Sequence, residues 1–224
     1  MVFKDRKQAG EQLAQKLVKY KGQDTLVLAI PRGGVVVGEE VARVLDSPLD
    51  VIVTRKIGAP GNPEFAIGAI GPYDQIFLNQ EAIARYNIPK EYLNAEIGRQ
   101  GVEMERREKV YREGKPPLGL KDKTVILVDD GIATGANVKV AVKSVKCQRP
   151  KKLILAVPVG PKETIEELKT QVDELVCLAT PEIFYAVGQF YQEFSQTTDE
   201  EVMEILRESA EFEVHGRGQC KVEP

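Results

Sequence analysis

Short hydrophobic runs alternate along this chain with amphipathic stretches, which is the pattern of a parallel α/β sheet. Apolar residues recur at helical spacing between the runs, as at Val37, Val41 and Leu45, and Asp5 is placed to cap a first helix. Strand, helix and strand then form right-handed crossovers. We therefore predict the α/β class, with a doubly wound parallel sheet. The runs predicted to be buried strands are TLVLAI, DVIVTRK, TVILVDD, KLILAVPV and ELVCLA.

Residues 58–120 interrupt this alternation and are predicted to be an insertion. IGAPGNPE has the Gly, Asn and Pro content of a loop, and FAIGAI and QIFLN, joined by GPYD, have the pattern of a hairpin. A long charged helix is predicted from Pro89 to about Glu113. We expect this insertion to contain a lid over a site.

The domain organisation follows from the absence of any repeat or low-complexity linker. We predict one domain over residues 1–212, in which residues 181–212 form a small C-terminal hood. That hood combines the aromatic segment FYAVGQFYQEF with an acidic helix from about Thr198 to Glu211. Residues 213–224 lack periodicity, so we expect a disordered tail.

The composition excludes several classes of function but does not by itself indicate one. The 31 Lys and Arg nearly balance the 34 Asp and Glu, giving a net charge of -3, which argues against a sequence-independent nucleic-acid binder. Cys147, Cys177 and Cys220 lack metal-ligand spacing, and His215 is the single histidine. The N-terminus lacks the pattern of a signal peptide, and no apolar run approaches membrane-spanning length. We expect a cytoplasmic protein with neither nucleic-acid nor membrane partners.

The segment VILVDDGIATGAN carries the sharpest chemical signal. A buried strand delivers Asp129 and Asp130 to the sheet edge, where ligands of parallel sheets bind. A glycine-containing loop then leads into a helix, whose N-terminal amides attract anions. Two carboxylates beside a phosphate cradle suit a ligand that also offers hydroxyl groups or a bound metal. The predicted phosphate-binding residues are Ala133, Thr134, Gly135, Ala136 and Asn137.

This segment resembles the signature of the type I phosphoribosyltransferase family, which is an apolar strand, two acids and a loop ending in Thr-Gly. The resemblance covers about Thr25 to Val187 and implies binding of 5-phosphoribosyl-1-pyrophosphate (PRPP). It implies that the phosphate lies on the loop and the ribose hydroxyls on Asp129 and Asp130. An Asp-Asp helix cap followed by a glycine turn is the structural alternative.

Two further strand ends carry cations. Pro31 to Gly34 follows the first strand, and the resemblance implies that Arg32 and the amides of Gly33 and Gly34 bind pyrophosphate. Arg55 and Lys56 follow the second strand and would add charge to the same leaving group. A glycine-permitted turn with a solvated arginine is the alternative.

The insertion and the hood supply the remaining candidates. The insertion takes the place of the family's mobile hairpin, although a static surface hairpin fits the sequence nearly as well. We predict that Glu64 on this lid provides acid/base chemistry, with a solvated acid as the alternative. Phe184 or Tyr185 of the hood could stack on an acceptor ring, or pack against the sheet.

The sequence also departs from part of the family. Hypoxanthine/guanine enzymes carry an Asp where this chain has Ala133 and a Lys where it has Ala136. The loop is closer to that of adenine-type members. The chain is most similar to a group of bacterial phosphoribosyltransferases for which the resemblance supplies no acceptor.

The predicted reaction is displacement of pyrophosphate from PRPP by a ring nitrogen, with release of pyrophosphate. Mg²⁺ is the expected cofactor, held by ligand oxygens and the pair Asp129 and Asp130. The expected partners are PRPP and an acceptor, with a second copy of the chain as a further candidate. A non-catalytic PRPP or nucleotide sensor on the same fold is the main alternative. A phospho-acceptor receiver domain is discounted, because its acidic pair follows the first strand.

Overall fold

A computed structural model describes the backbone of residues 2–217 and the side chains of residues 2–210. In that part of the chain the strands are β1 (Thr25–Ala29), β2 (Leu49–Val51), β3 (Arg55–Ala59), β4 (Asn62–Gly71), β5 (Gln75–Leu78), β6 (Thr124–Val128), β7 (Lys152–Val159) and β8 (Glu174–Ala179). The helices are α1 (Arg6–Leu17), α2 (Gly33–Leu45), α3 (Gln80–Arg85), α4 (Lys90–Tyr111), α5 (Ala136–Cys147), α6 (Lys162–Lys169) and α7 (Asp199–Arg217).

The central sheet has five parallel strands in the order β2-β1-β6-β7-β8, which confirms the predicted fold class. Helices α1, α2 and α7 pack on one face, and α5 and α6 on the other. Strands β1 and β6 are paired along their whole length, from Thr25 with Thr124 to Ala29 with Val128. The two chain segments that leave these strands therefore emerge side by side.

A second sheet is antiparallel, in the order β3-β4-β5. Its base is packed on both faces. On one face Ile57 and Ile67 lie against Ile97 of α4, and on the other Ala69 lies against Val140 of α5. Residues 60–65, at the turn between β3 and β4, are exposed. The predicted hairpin is therefore correct for β4 and β5, but a third strand joins it, and its base is packed between two helices.

Two details of the sequence prediction around this sheet are wrong. Strand β2 ends at Val51 and the segment Arg55–Ala59 pairs with β4, so DVIVTRK is not one strand. IGAPGNPE is mostly strand rather than loop, because β3 accommodates Pro63 through a bulge at Gly58. A β-carbon at Gly58 would lie 2.7 Å from Pro63 Cα, so the close approach of the two strands requires glycine there.

The helices of the insertion and the hood are closer to expectation. Helix α4 confirms the long charged helix, whereas the short α3, capped by the Asn79 side chain, was not predicted. Helix α7 continues to Arg217, so residues 213–217, predicted to belong to the tail, are helical, and residues 218–224 lie outside the described residues. None of the described helices has the length and apolar character needed to cross a membrane.

Candidate functional site

A cleft of about 360 Å³ opens where β1 and β6 end side by side. The tip of the antiparallel sheet borders it on one side, and Val187 of the hood on another. Because the carboxyl ends of parallel strands are the usual ligand site of such sheets, the position fits a substrate site. The side chains and loops that line it come from Ile30–Gly33, Lys56, Glu64, Ala66, Asp129–Val138 and Val187.

Asp129 and Asp130 form the acidic floor of this cleft. Asp129 Oδ1 accepts a hydrogen bond from the Asp130 backbone N–H at 2.8 Å. Burial raises the pKa of Asp129 well above its ordinary value, and the charge of Asp130 adds to the shift. Burial also raises the pKa of Asp130, although Arg6 opposes that shift. Two carboxylates held this close in a poorly solvated site favour a ligand that brings hydroxyl donors or positive charge.

Arg6 and Tyr191, which do not line the cleft, form hydrogen bonds that hold Asp130 in place. Arg6 Nε donates to Asp130 Oδ2 at 2.7 Å, and the Tyr191 hydroxyl donates to the Asp130 carbonyl oxygen at 2.6 Å. The side chains of Arg6 and Asp130 are only 11% and 15% exposed. The second acid is therefore fixed by residues from both ends of the described chain.

Two helix N-termini point into the same cleft. Helix α2 follows Arg32 and helix α5 follows Gly135, and neither first turn has a side-chain cap. The leading N–H groups of a helix have no partner within it, so uncapped starts can bind anions. Gly135 has φ +75°, which favours glycine. Asn137 Oδ1 is buried without a hydrogen-bond partner in the described part of the chain, and so can accept from a ligand.

Glycine is what allows α2 to approach the acidic pair. A β-carbon at Gly33 would lie 1.9 Å from Asp130 Oδ2, and one at Gly34 would lie 3.0 Å from Asp129 Cα. Any larger residue at Gly33 would push the helix start away from the carboxylates. The peptide bond between Pro31 and Arg32 is cis.

The tip of the antiparallel sheet adds a charged pair at the mouth of the cleft. Lys56 Nζ lies 2.6 Å from Glu64 Oε2, and the Glu64 side chain is 88% exposed. The hydrogen bond from Lys56 lowers the pKa of Glu64. Arg32 is paired more loosely, with 3.6 Å between its Nη1 and Asp199 Oδ1. Each of these cations has a carboxylate partner that an incoming polyanion would have to replace.

Comparison with known proteins places this arrangement in a family. A model described as "Phosphoribosyl transferase domain" matches residues 3–194. The chain belongs to the phosphoribosyltransferase family. "Putative phosphoribosyl transferase Rv0571c" of Mycobacterium tuberculosis is 43% identical over 205 residues, which are 92% of this chain and 46% of that protein. The chain thus spans about half the length of the curated relatives it matches.

Solved structures of this family's fold agree with the architecture described above. TT1426 from Thermus thermophilus is 44% identical, with a TM-score of 0.76 over 93% of this chain and 99% of that one. The AQ2163 protein from Aquifex aeolicus is 14% identical, with a TM-score of 0.50 over 82% of this chain and 76% of that one. The second likeness is one of fold alone.

The structure brings most of the predicted site residues of this chain together. Gly34 lies directly behind the lining, against Asp129. The common reason is local, because each residue directly follows a strand of the central sheet or lies at the antiparallel tip. The predicted residues that line one cleft are Arg32, Gly33, Lys56, Glu64, Asp129, Asp130, Ala133, Thr134, Gly135, Ala136 and Asn137.

Arg55 is separated from that set. Side chains alternate along a strand, so Lys56 faces the cleft while Arg55 faces α4, where its Nε donates to Gln100 Oε1 at 3.0 Å. Burial lowers the pKa of Arg55, and Arg107 of α4 lowers it further. In this structure only Lys56 of these two predicted pyrophosphate-binding cations lines the cleft, because both residues lie in β3 rather than at the end of a parallel strand.

The two aromatic residues of the hood do not line the cleft either. Phe184 stacks on Phe190, with ring centroids 5.2 Å apart, and packs into a small cluster with Phe3. Tyr185 is 86% exposed. Val187 borders the cleft instead. This arrangement favours the packing alternative for Phe184.

Sequence reasoning missed Arg6, Tyr191 and Val187. Arg6 is the first residue of an amphipathic helix and looks like any solvated arginine in the sequence. Tyr191 belongs to an aromatic segment whose pairing with Phe3 is visible only in the fold. Arg6 and Tyr191 carry no local sequence signal, because both act through contacts between distant parts of the chain.

A second cleft, of about 390 Å³, lies between α4 and the turn of the β4–β5 hairpin. Its main charged groups already have partners. Asp50 Oδ1 accepts from Arg112 Nε at 3.0 Å and from the Val51 N–H at 2.7 Å, and Oδ2 accepts from the Leu118 N–H at 2.9 Å. We interpret this largely buried ion pair as a structural connection between β2, at the edge of the central sheet, and the C-terminal end of α4.

Proposed function

We propose that this chain transfers the 5-phosphoribosyl group of PRPP to a nitrogen atom of an acceptor, with release of pyrophosphate. The observation that carries the proposal is the pair Asp129 and Asp130, which lies in one cleft between two uncapped helix N-termini. PRPP has phosphate groups at both ends of a ribose. Family membership and the curated relative's name support the same reaction class.

The proposed binding mode follows from the charges. The 5-phosphate would bind the amides of residues 133–137 at the start of α5, with help from the Thr134 hydroxyl. The ribose hydroxyls would donate to Asp129 and Asp130. The pyrophosphate would bind the start of α2 and the side chains of Arg32 and Lys56.

In the proposed reaction the bond between ribose C1 and the pyrophosphate oxygen breaks, and its electron pair leaves with pyrophosphate. A lone pair on the acceptor nitrogen forms the new bond to C1. Positive charge develops on the ribose, so the protein contributes mainly by holding the reactants and stabilising the departing negative charge. Lys56 and the start of α2 are placed for that second task.

The acceptor nitrogen loses a proton when its ring is not already anionic. We propose Glu64 as the group that takes it. Glu64 lines the cleft. The loop before α5 has Ala133 at the position where hypoxanthine/guanine members of the family carry an Asp. In the free protein Lys56 lowers the pKa of Glu64 and makes it a weak base. When pyrophosphate takes over Lys56, Glu64 loses that partner and becomes a stronger base.

Mg²⁺ fits this site only as a companion of the substrate. Among the described residues, no three His, Cys, Asp or Glu side chains lie close enough to form a metal cage. Asp129 and Asp130 provide two carboxylates of the kind that Mg²⁺ prefers, but Arg6 occupies one oxygen of Asp130. Mg²⁺ bound to the substrate would neutralise part of the pyrophosphate charge, and Asp129 could provide it with a carboxylate oxygen.

The experiment is a pyrophosphate-release assay with PRPP and a panel of purine, pyrimidine and other nitrogen-ring acceptors. We expect release that depends on one acceptor class and is abolished in the variant Asp129→Asn/Asp130→Asn. PRPP binding without release for any acceptor would contradict catalysis and favour the sensor alternative.

A further inference from the structure

The contacts of Arg6 go beyond those of a surface helix residue. Its Nε donates to Asp130 Oδ2 at 2.7 Å, and its Nη1 donates to the Ser195 carbonyl oxygen at 2.7 Å. The guanidinium carbon lies 3.9 Å from the centroid of the Phe194 ring. Arg6 thus has a partner on three sides, and its orientation is fixed.

The segment that carries Arg6 is joined to the hood by backbone hydrogen bonds. Phe3 N–H donates to the Phe190 carbonyl at 2.8 Å, and Gln192 N–H returns a bond to the Phe3 carbonyl at 2.9 Å. Glu193 N–H donates to the Lys4 carbonyl at 2.9 Å. Asp5 then caps α1 directly before Arg6. The first turn of α1 is therefore held in register with the hood, close to Asp130.

The position of Arg6 determines what Asp130 can do. One oxygen of its carboxylate is committed to Arg6, which leaves the other to accept from a ligand. Among the residues whose side chains the structure describes, no cation lies within salt-bridge distance of Asp129, and Asp129 Oδ1 accepts from the backbone N–H of Asp130. The two acids of the motif are therefore unequal in this chain, one anchored by an arginine and one not.

We propose that Arg6 is a positioning residue, which holds the Asp130 side chain turned so that its free oxygen receives a ribose hydroxyl. Through this contact Arg6 sets the preference for ribose over deoxygenated sugars. The inference rests on the proposed function, because it takes the acidic pair to be the ribose site.

Gly33 supports this placement. A β-carbon there would lie 1.9 Å from Asp130 Oδ2 and 2.6 Å from Arg6 Nε, so the start of α2 lies directly over the ion pair. The start of α2 therefore shields this side of the ion pair from solvent. The largely buried ion pair therefore connects Asp130, which lines the cleft, to the N-terminal segment, which lies outside it.

The test compares the dissociation constants of ribose 5-phosphate and 2,3-dideoxyribose 5-phosphate, measured by calorimetry. The wild-type protein should prefer ribose 5-phosphate. In Arg6→Gln we expect that preference to fall about tenfold or more, the scale of one charge-assisted hydrogen bond, with affinity for the dideoxy sugar unchanged. A purely structural role would weaken both ligands together.

Lys7→Gln is the matched control, because it removes a neighbouring, exposed positive charge and should leave both constants unchanged. Arg6→Lys keeps the charge but cannot span Asp130 and Ser195, so it should fall between wild type and Arg6→Gln, and it replaces Arg6→Gln if that variant does not fold. An unchanged sugar preference in a folded Arg6 variant overturns the proposal. A wild-type protein that binds neither sugar, or both equally, overturns the ribose site itself, which is the failure of the proposed function.

Discussion

The phosphate loop, residues 129–137, and the charged tip of the β3–β4 hairpin, where Lys56 reaches Glu64, border the same cleft but are built differently. The charges of the loop are buried and fixed, since Asp130 is held by Arg6 and Tyr191. The charges of the tip are more exposed, above all that of Glu64, and they neutralise each other, since Lys56 pairs with Glu64. The loop is thus prepared for a ligand before it arrives, whereas the tip must exchange partners when one binds.

Electrostatics differ in sign between the two regions. Burial raises the pKa values of Asp129 and Asp130, whereas Lys56 lowers the pKa of Glu64. The folded loop therefore opposes ionisation and the tip favours it. A ligand that brings hydrogen-bond donors or a cation stabilises the ionised form of Asp129 and Asp130. A polyanion instead displaces Glu64 from Lys56.

The largest expected effect comes from removing both charges of the loop. Asp129→Asn/Asp130→Asn should weaken PRPP binding roughly 100-fold or more, because each charge-assisted hydrogen bond contributes about 1.5–3 kcal/mol. Calorimetry gives the constant, and circular dichroism verifies the fold. Unchanged affinity in a folded double variant would place the ribose elsewhere.

At the tip, Glu64→Gln tests proton transfer. Once an acceptor is known, we expect kcat at saturating PRPP to fall about 100-fold, the lower end for a positioned acid/base group. PRPP affinity should not weaken, because the pyrophosphate group then no longer competes with Glu64 for Lys56. Wild-type turnover would remove Glu64 from the mechanism.

Lys56→Ala and Arg55→Ala separate two neighbouring residues that the sequence grouped together. Lys56→Ala should weaken PRPP about tenfold through loss of one charged contact, with little effect on ribose 5-phosphate. Arg55→Ala should change neither constant, since Arg55 faces Gln100 on α4. Arg32→Ala should resemble Lys56→Ala. Equal losses for Arg55 and Lys56 would mean that the tip rearranges in the complex.

The sign of the loop's electrostatics can be tested by pH. A carboxyl whose pKa is raised by folding stabilises the native state fully below its unfolded pKa, and this contribution is lost as pH rises through the folded pKa. The unfolding free energy of the wild type should therefore fall, relative to Asp129→Asn/Asp130→Asn, as pH rises above about 4, the usual value for Asp. If denaturant titrations give the same pH dependence of unfolding free energy for both proteins, burial does not raise the pKa of these acids.

The smallest effects compare two glycines with nearly the same backbone. Gly135 has φ +75° and Gly61 has φ +73°. A β-carbon at Gly135 would lie 2.8 Å from Thr164 Cγ2, whereas a β-carbon at Gly61 would have no neighbouring atom within 4 Å among the described residues. Gly61→Ala should cost about 1 kcal/mol of unfolding free energy from backbone strain alone. Gly135→Ala should cost more and also weaken PRPP. Equal costs would contradict the tight packing of the loop.

The same comparison explains what the sequence could predict. The loop follows a buried strand and precedes a helix, so Asp129, Gly135 and Asn137 are placed by neighbours in the chain, and their grouping was predictable. Arg55 and Arg6 are placed by distant segments, α4 and the hood. Strand β3 was missed because its partner, β4, contains Pro63 and tolerates it only through a bulge at Gly58.

The most direct test of the account is a crystal structure of the protein with PRPP and Mg²⁺. We predict the 5-phosphate on the amides of residues 133–137, the ribose hydroxyls on Asp129 and Asp130, and the pyrophosphate against Gly33 and Gly34 with Lys56 released from Glu64. PRPP bound in the second cleft, beside Asp50 and Arg112, or with its phosphates away from both helix starts, would contradict it.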